Sequence, residues 1–90
     1  MSGVARHVVI RGRVQGVFFR DSMRRLAQQH GVNGWAANRW DGTVEAVFEG
    51  NEDAVQRLVR FAHEGPRGAE VEHVEVFEEE PEALSGFSVG

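Results

Sequence analysis

Cysteine is absent from this 90-residue sequence, and so is lysine. Without cysteine the protein can form no disulfide bond, no thiolate zinc site and no cysteine nucleophile. The absence of cysteine fits a reducing compartment, and we expect a cytoplasmic protein. Because lysine is missing, every basic side chain except histidine is an arginine, whose guanidinium suits bidentate contact with a carboxylate or a phosphate.

The sequence also lacks a long hydrophobic segment. No stretch approaches the roughly 20 apolar residues that a membrane-spanning helix needs. The first ten residues contain Arg6 and His7 rather than the apolar core of a signal peptide. We therefore expect no membrane partner, and the length predicts one domain that covers residues 1–90.

Acidic residues are scarce in the first part of the chain. The formal net charge of −4 is unfavourable for nucleic-acid binding, and we expect no nucleic-acid partner. Residues 1–40 nevertheless hold one acidic residue, Asp21. The arginines of this segment are Arg6, Arg11, Arg13, Arg20, Arg24, Arg25 and Arg39. A basic first half on an acidic protein suits a small anionic ligand.

Two periodic patterns predict the beginning of the fold. Residues 6–13 alternate in polarity, which predicts a strand with one buried face. From Phe19 to His30 apolar residues recur at helical spacing, which predicts a helix. Gly31 is well placed to end this helix in a left-handed conformation.

Turn and capping residues delimit the elements of the rest of the chain. Residues 33–40 and 43–49 are predicted to form a hairpin around the tight turn Asp41-Gly42. A second helix is predicted to start after Asn51 and to stop at Gly65-Pro66. A strand with a bulge, an acidic solvated loop and a short last strand follow at residues 70–77, 78–82 and 86–89.

The predicted order of elements defines a fold class. The order β-α-β-β-α-β is that of an α+β, ferredoxin-like split β-α-β sandwich, with an antiparallel sheet and two helices on one face. Many unrelated functions occur on this fold. The activity must therefore be inferred from local motifs.

The segment between the first strand and the first helix has features of an anion site. Gly12 and Gly16 permit positive φ angles, and successive N–H groups in such a turn can converge on an anion beside a helix N-terminus. Arg20 lies in the first helical turn, where a cation is unfavourable unless an anion is bound nearby. No Lys-Ser/Thr pair follows the glycines, which excludes a Walker A loop. An ordinary strand-to-helix turn with a solvated Arg20 stays equally open on these grounds.

Two longer motifs resemble those of a known family. The segment Gly12–Arg20, G-R-V-Q-G-V-F-F-R, resembles the phosphate-binding loop of the acylphosphatases. The segment Gly34–Glu45 is similar to a second motif of that family, G-W-x-x-N-x-x-D-G-x-V-E. Both occur in the expected order, and the resemblance extends over essentially the whole chain.

The resemblance implies an enzyme that hydrolyses acyl phosphates to a carboxylate and inorganic phosphate. It implies that Arg20 binds the substrate phosphate and that Asn38 positions the attacking water. Backbone N–H groups complete the phosphate site, together with Arg20, at Gln15, Gly16, Val17, Phe18 and Phe19. No metal and no cofactor are expected. The physiological acyl phosphate is not specified.

Several other residues are expected to have structural roles. Phe18 and Phe19 are predicted to pack the loop against the sheet, and Trp35 is predicted to pack in the core or on the sheet. Trp40, near the hairpin turn, is either an ordinary turn residue or part of a rim that favours apolar acyl groups. No two histidines have metal-ligand spacing; they are His7, His30, His63 and His73.

Two alternatives come from other functional classes. An RNA-binding module with this topology needs exposed aromatic residues on central strands and a basic sheet, which the sequence lacks. A regulatory domain that binds phosphate or acyl phosphate without turnover stays open, because acylphosphatase-like domains also occur in larger carbamoyl-handling proteins. The start at Met1 and the short length favour a free-standing enzyme, which we expect to be a monomer.

Overall fold

Residues 3–90 are described by a computed structural model and form a five-stranded sheet with two helices. In chain order the elements are β1 (Val4–Arg13), α1 (Phe19–His30), β2 (Asn33–Asn38), β3 (Val44–Gly50), α2 (Glu52–Glu64), β4 (Glu70–Glu79) and β5 (Phe87–Val89). Helix α1 packs on β2 and β5, helix α2 packs on β1, β3 and β4, and the helices contact each other. Both helices therefore cover one face, and the predicted ferredoxin-like α+β fold is confirmed.

The sheet is mixed, which corrects the expectation of a wholly antiparallel sheet. Its order is β4-β1-β3-β2-β5, and all neighbours are antiparallel except β2 and β5, which are parallel. The parallel pair follows from the direction of β4, which runs opposite to β2 and therefore ends at the edge of the sheet where β2 begins. The chain enters β5 at that same edge, so β5 runs in the direction of β2. The carboxylate of Glu49 fixes the β4–β5 connection by accepting hydrogen bonds from the N–H groups of Glu82 and Leu84.

The hydrophobic core lies between the helices and the covered face of the sheet. Its largest fully buried side chains are Phe19, Phe48, Ile10, Met23, Leu58, Val8, Val14, Val44 and Val55. Burial of one such side chain contributes roughly 1.5–3 kcal/mol relative to leaving it exposed. Because Phe19 is the first residue of α1, its burial fixes the start of that helix against the sheet.

Both helices begin or end at the signals that the sequence contains. Helix α1 spans the predicted residues 19–30, and Gly31 follows it with φ 69° and an N–H directed at the carbonyls of Ala27 and Gln28. The side chain of Asn51 accepts a hydrogen bond from the N–H of Asp53 at 2.9 Å and caps α2 as predicted. Neither helix of residues 3–90 has the length and apolar character needed to cross a membrane.

Some strands extend beyond their predicted ends. β1 begins at Val4 rather than at residue 6, and β4 continues to Glu79 rather than to residue 77. The predicted solvated loop 78–82 is wrong for its first two residues, because they pair with β1. β2 ends at Asn38 rather than at residue 40, and β3 spans Val44–Gly50 rather than residues 43–49.

The bulge predicted in the fourth strand is confirmed. The register between β1 and β4 shifts between Arg11 and Gly12, which leaves Glu72 as the extra residue of β4. A Cβ atom added to Gly12 would lie 2.1 Å from the carbonyl oxygen of Glu70, so the close approach requires glycine. The bulge thus stands at the end of β1, where the loop that leads to α1 begins.

Candidate active site

The loop between β1 and α1 has alternating backbone handedness. Gly16 has φ 75° and Phe18 has φ 61°, whereas Val17 between them has no positive φ. Such alternation turns successive N–H groups toward one side and forms an anion-binding concavity. A Cβ added to Gly16 would meet no atom within 4 Å, so this position requires glycine for its φ angle rather than for space.

The N–H groups of this loop have no acceptors in the part of the protein that the structure describes. Within residues 3–90, none of the N–H groups of residues 15–20 donates a hydrogen bond to another protein group. The last of them belong to the first turn of α1, where N–H groups lack intrahelical partners and the helix dipole is positive. Together they are suited to a tetrahedral anion with several acceptor oxygens. We call residues 15–20 the cradle.

Phe18 and Phe19 have opposite environments at the start of α1. Phe19 is 1% exposed and contacts Phe61 of α2 edge-on at a centroid distance of 5.6 Å. It belongs to the same buried cluster as Val8 and Ile10 of β1, which supports its predicted packing against the sheet. The same prediction is wrong for Phe18, which is 80% exposed. Phe18 occupies the N-cap position with φ 61° and ψ 26°, and this left-handed turn directs its side chain away from the core.

Arg20 has a half-buried position in the first turn of α1. Its guanidinium forms no ion pair or hydrogen bond with any other residue among 3–90. The neighbouring carboxylate, that of Asp21, is bound by Arg24 and Arg25 instead. The positive charge of Arg20 therefore stays available to an anion bound by the N–H groups of the cradle.

Asn38 lies at the same end of the sheet as the cradle. It is the last residue of β2, it is exposed, and it pairs with Val44 of β3. Because β1 and β2 are both antiparallel to β3, their C-terminal ends lie together, about 10 Å apart across the intervening strand. The Asn38 side chain has no hydrogen-bond partner in the part of the chain that the structure describes.

A side chain of the cradle contacts the turn that follows Asn38. Nε2 of Gln15 donates hydrogen bonds to the carbonyl oxygens of Arg39, at 2.8 Å, and Thr43, at 2.9 Å. The sequence assigned Gln15 a role only through its backbone N–H. It gave no signal for these contacts, because every residue has a carbonyl and only the fold determines which ones are near.

The β2–β3 turn is closed by its own hydrogen bonds. The N–H of Arg39 donates to the carbonyl of Thr43 at 2.9 Å, and that of Gly42 donates to the carbonyl of Arg39 at 3.1 Å. Oδ1 of Asp41 accepts from Oγ1 of Thr43 at 2.7 Å and from its N–H at 3.1 Å. These hydrogen bonds, first that from the Thr43 side chain, hold the pKa of the Asp41 carboxyl below its ordinary 3.8. The predicted Asp41-Gly42 turn is confirmed.

The open face of the sheet carries a cluster around His7. Its Nε2 lies 2.6 Å from Glu45 and its Nδ1 lies 3.0 Å from Glu79. The half-buried ring of Trp35 lies 6.3 Å from the His7 ring, so the expected packing of Trp35 on the sheet is confirmed. In residues 3–90 no three or more His, Cys, Asp or Glu side chains are arranged to hold a metal ion. Trp40, in the β2–β3 turn, is 96% exposed.

The sequence and the fold match proteins of one family. A family model described as acylphosphatase matches residues 6–89. The acylphosphatase of Thermococcus kodakarensis is 55% identical over 89 residues, which cover 99% of this chain and 98% of the relative. That of Haloarcula marismortui is 51% identical over 89 residues, with the same coverage of both chains. The solved structure of an acylphosphatase from Coxiella burnetii superposes with a TM-score of 0.92 at 39% identity and covers 98% of this chain and 93% of its own.

Proposed function

The chain belongs to the acylphosphatase family, and from this premise we propose that it hydrolyses acyl phosphates to a carboxylate and inorganic phosphate. The observation that carries the proposal is the cradle itself. It combines N–H groups that have no acceptor among residues 3–90 with an arginine side chain that has no partner there. A phosphate supplies acceptors for the N–H groups and negative charge for the arginine.

Phosphate binding is the proposed role of residues 15–20. The backbone N–H groups of Gln15, Gly16, Val17, Phe18 and Phe19 donate to the phosphate oxygens, and the guanidinium of Arg20 neutralises their charge. In phosphoryl transfer the negative charge resides largely on the three equatorial oxygens. Fixed donors directed at these oxygens stabilise the transition state without reorganising.

Orientation of the attacking water is the proposed role of Asn38. Its exposed amide has both a donor and an acceptor, which can hold a water in line with the bond that breaks. The water oxygen forms a bond to phosphorus, and the acyl oxygen leaves with the electron pair as a carboxylate. An amide is not a base, so the water proton passes to a phosphate oxygen of the substrate. The products are a carboxylate and inorganic phosphate.

The proposed reaction needs neither a general acid nor a metal ion or cofactor, because the leaving group is already good. A carboxylic acid has a pKa near 4, so the carboxylate departs at neutral pH without a proton from the enzyme. Arginine and the backbone N–H groups provide the positive charge that a metal ion provides in other phosphoryl-transfer enzymes. A monomeric state and a cytoplasmic location are further parts of the proposal and rest on the sequence.

Turnover of benzoyl phosphate tests the proposal directly. We expect steady hydrolysis that excess chelator leaves unchanged, and a strong loss of kcat in Asn38→Ala with folding intact by circular dichroism. A strict requirement for an added divalent ion would refute the metal-free scheme. Tight phosphate binding without any turnover would support the alternative, a regulatory domain that keeps the cradle but performs no chemistry.

A further inference from the structure

The amide of Gln15 joins two separate parts of the site. One side of the contact is the cradle, which contains Gln15 and binds phosphate in the proposed function. The other side is the base of the β2–β3 turn, where Nε2 reaches the carbonyl oxygens of Arg39 and Thr43 at 2.8 and 2.9 Å. The same two residues close the turn, because the N–H of Arg39 donates to the carbonyl oxygen of Thr43 at 2.9 Å.

The chemistry of the contact requires a side chain with two donor hydrogens, and the Gln15 amide supplies them. Carbonyl oxygens only accept hydrogen bonds, so a side chain placed between two of them must donate twice. The NH2 group of glutamine has two hydrogens on one nitrogen, one for each carbonyl. Glutamate has the same length but only acceptors at neutral pH, and methionine has a similar volume with no donor.

The contact between the Gln15 amide and the turn, which we call the Gln15 bridge, includes the residue next to Asn38. Asn38 precedes Arg39 directly and pairs with Val44, the residue after Thr43. Sheet pairing fixes its backbone relative to β3, but β3 separates β2 from β1, and β1 leads into the cradle. The Gln15 amide connects the cradle directly to the turn beside Asn38, by a path that does not pass through the sheet.

We infer that Gln15 is a positioning residue, which aligns the water-holding Asn38 with the phosphate in the cradle. The inference rests on the proposed function, since it gives Asn38 the role described there. Gln15 acts through the turn and its side chain is engaged away from the substrate. Loss of the amide should therefore lower kcat and leave phosphate affinity unchanged, because the backbone N–H of residue 15 is still present.

Gln15→Met is the principal test variant, with Gln56→Met as its matched control. Gln56 is an exposed residue of α2 outside the site. We expect about a tenfold lower kcat for benzoyl phosphate in Gln15→Met, since misplacement by about 1 Å can cost about 10²-fold. The inhibition constant of inorganic phosphate should stay within about twofold of wild type. The control should match wild type in both values.

A double-mutant cycle separates positioning from a general structural effect. If Gln15 acts through Asn38, then Gln15→Met should cost nothing further in an Asn38→Ala background. An equal loss in both backgrounds, or weaker phosphate inhibition in Gln15→Met, would overturn the inference while leaving the proposed function intact. A normal kcat in Asn38→Ala alone would instead overturn the water role in the proposed function, and the inference with it.

A milder variant keeps the test decisive if Gln15→Met does not fold. Gln15→Asn retains the donor NH2 on a shorter side chain, which can reach at most one of the two carbonyls. We expect a kcat between wild type and one tenth of it, with phosphate inhibition unchanged. A wild-type kcat in a folded Gln15→Asn would overturn the inference.

Discussion

Gly16 and Gly31 provide a matched pair for testing the cradle. Their φ angles are 75° and 69°, and a Cβ added to either would meet no atom within 4 Å. A valine at either position suffers the same backbone strain, since left-handed conformations cost about 1–2 kcal/mol for residues with a Cβ. For a domain of this size that lowers Tm by about 4–16 °C. Gly31 lies at the far end of α1, about 18 Å along the helix from the cradle.

Inorganic phosphate should distinguish the two variants. A ligand that binds only the native state stabilises it by RT ln(1 + [L]/Kd), about 1.4 kcal/mol at a tenfold excess over Kd, which raises Tm by about 6–11 °C. Wild type and Gly31→Val should both show this rise. Gly16→Val should not, because valine resists the positive φ that turns the loop N–H groups toward the anion.

Thermal unfolding in phosphate and in sodium chloride of equal ionic strength measures the difference. The chloride series removes general salt effects on the arginines. Equal phosphate shifts in Gly16→Val and Gly31→Val would refute a cradle that depends on the Gly16 backbone. The absence of any phosphate-specific shift in wild type would refute the cradle altogether.

Three further predictions concern single side chains. Arg20→Ala should lose both phosphate inhibition and rate, whereas Asn38→Ala should keep phosphate inhibition while kcat falls by about 10²–10³, as measured by steady-state kinetics. Asp41 has a lowered pKa in the folded state, so its charge stabilises the fold above pH 3.8 and stops doing so as pH falls through that lowered pKa. Asp41→Asn should therefore melt below wild type at pH 7, and this difference should shrink as pH falls below 3.8 and the Asp41 carboxyl becomes protonated. Phe19→Ala should lower the free energy of unfolding by about 3–5 kcal/mol, because it removes a buried aromatic ring. Phe18→Gly should not lower it, because the Phe18 ring is exposed and glycine relieves the left-handed strain. Chemical denaturation measures both values.

Local signals explain which elements the sequence could predict. Helix α1 has its predicted limits because residues at both ends specify them: the apolar stripe begins at Phe19, and Gly31 adopts the left-handed conformation that ends it. The end of β4 has no such signal. Glu78 and Glu79 look like part of a solvated acidic run, and only their pairing with β1, which is distant in sequence, makes them strand residues.

The same distinction applies to the candidate site. The glycine spacing and the motif resemblance pointed to Gly16, Arg20 and Asn38, and the structure places the cradle and Asn38 at one end of the sheet. The Gln15 side chain contacts two backbone carbonyls that lie 24 and 28 residues away in the sequence. Because every residue has a backbone carbonyl, the sequence does not indicate which ones will be contacted. Phe18 was predicted to pack the loop against the sheet, but its left-handed backbone conformation leaves the ring 80% exposed.

Several features that are unfavourable in the free protein lie together in the cradle. Phe18 combines a left-handed backbone with an exposed aromatic ring, and Arg20 places a positive charge at the positive end of α1. The surrounding N–H groups lack acceptors among residues 3–90. In the proposed complex one phosphate relieves two of these unfavourable features. Its oxygens accept hydrogen bonds from the N–H groups, and its negative charge offsets the positive charges of the guanidinium and of the helix end. The strain at Phe18 remains in the complex, and it belongs to the conformation that directs those N–H groups at the phosphate. The folded core of Phe19 and its neighbours holds this loop ready before the substrate arrives, so binding requires little further ordering.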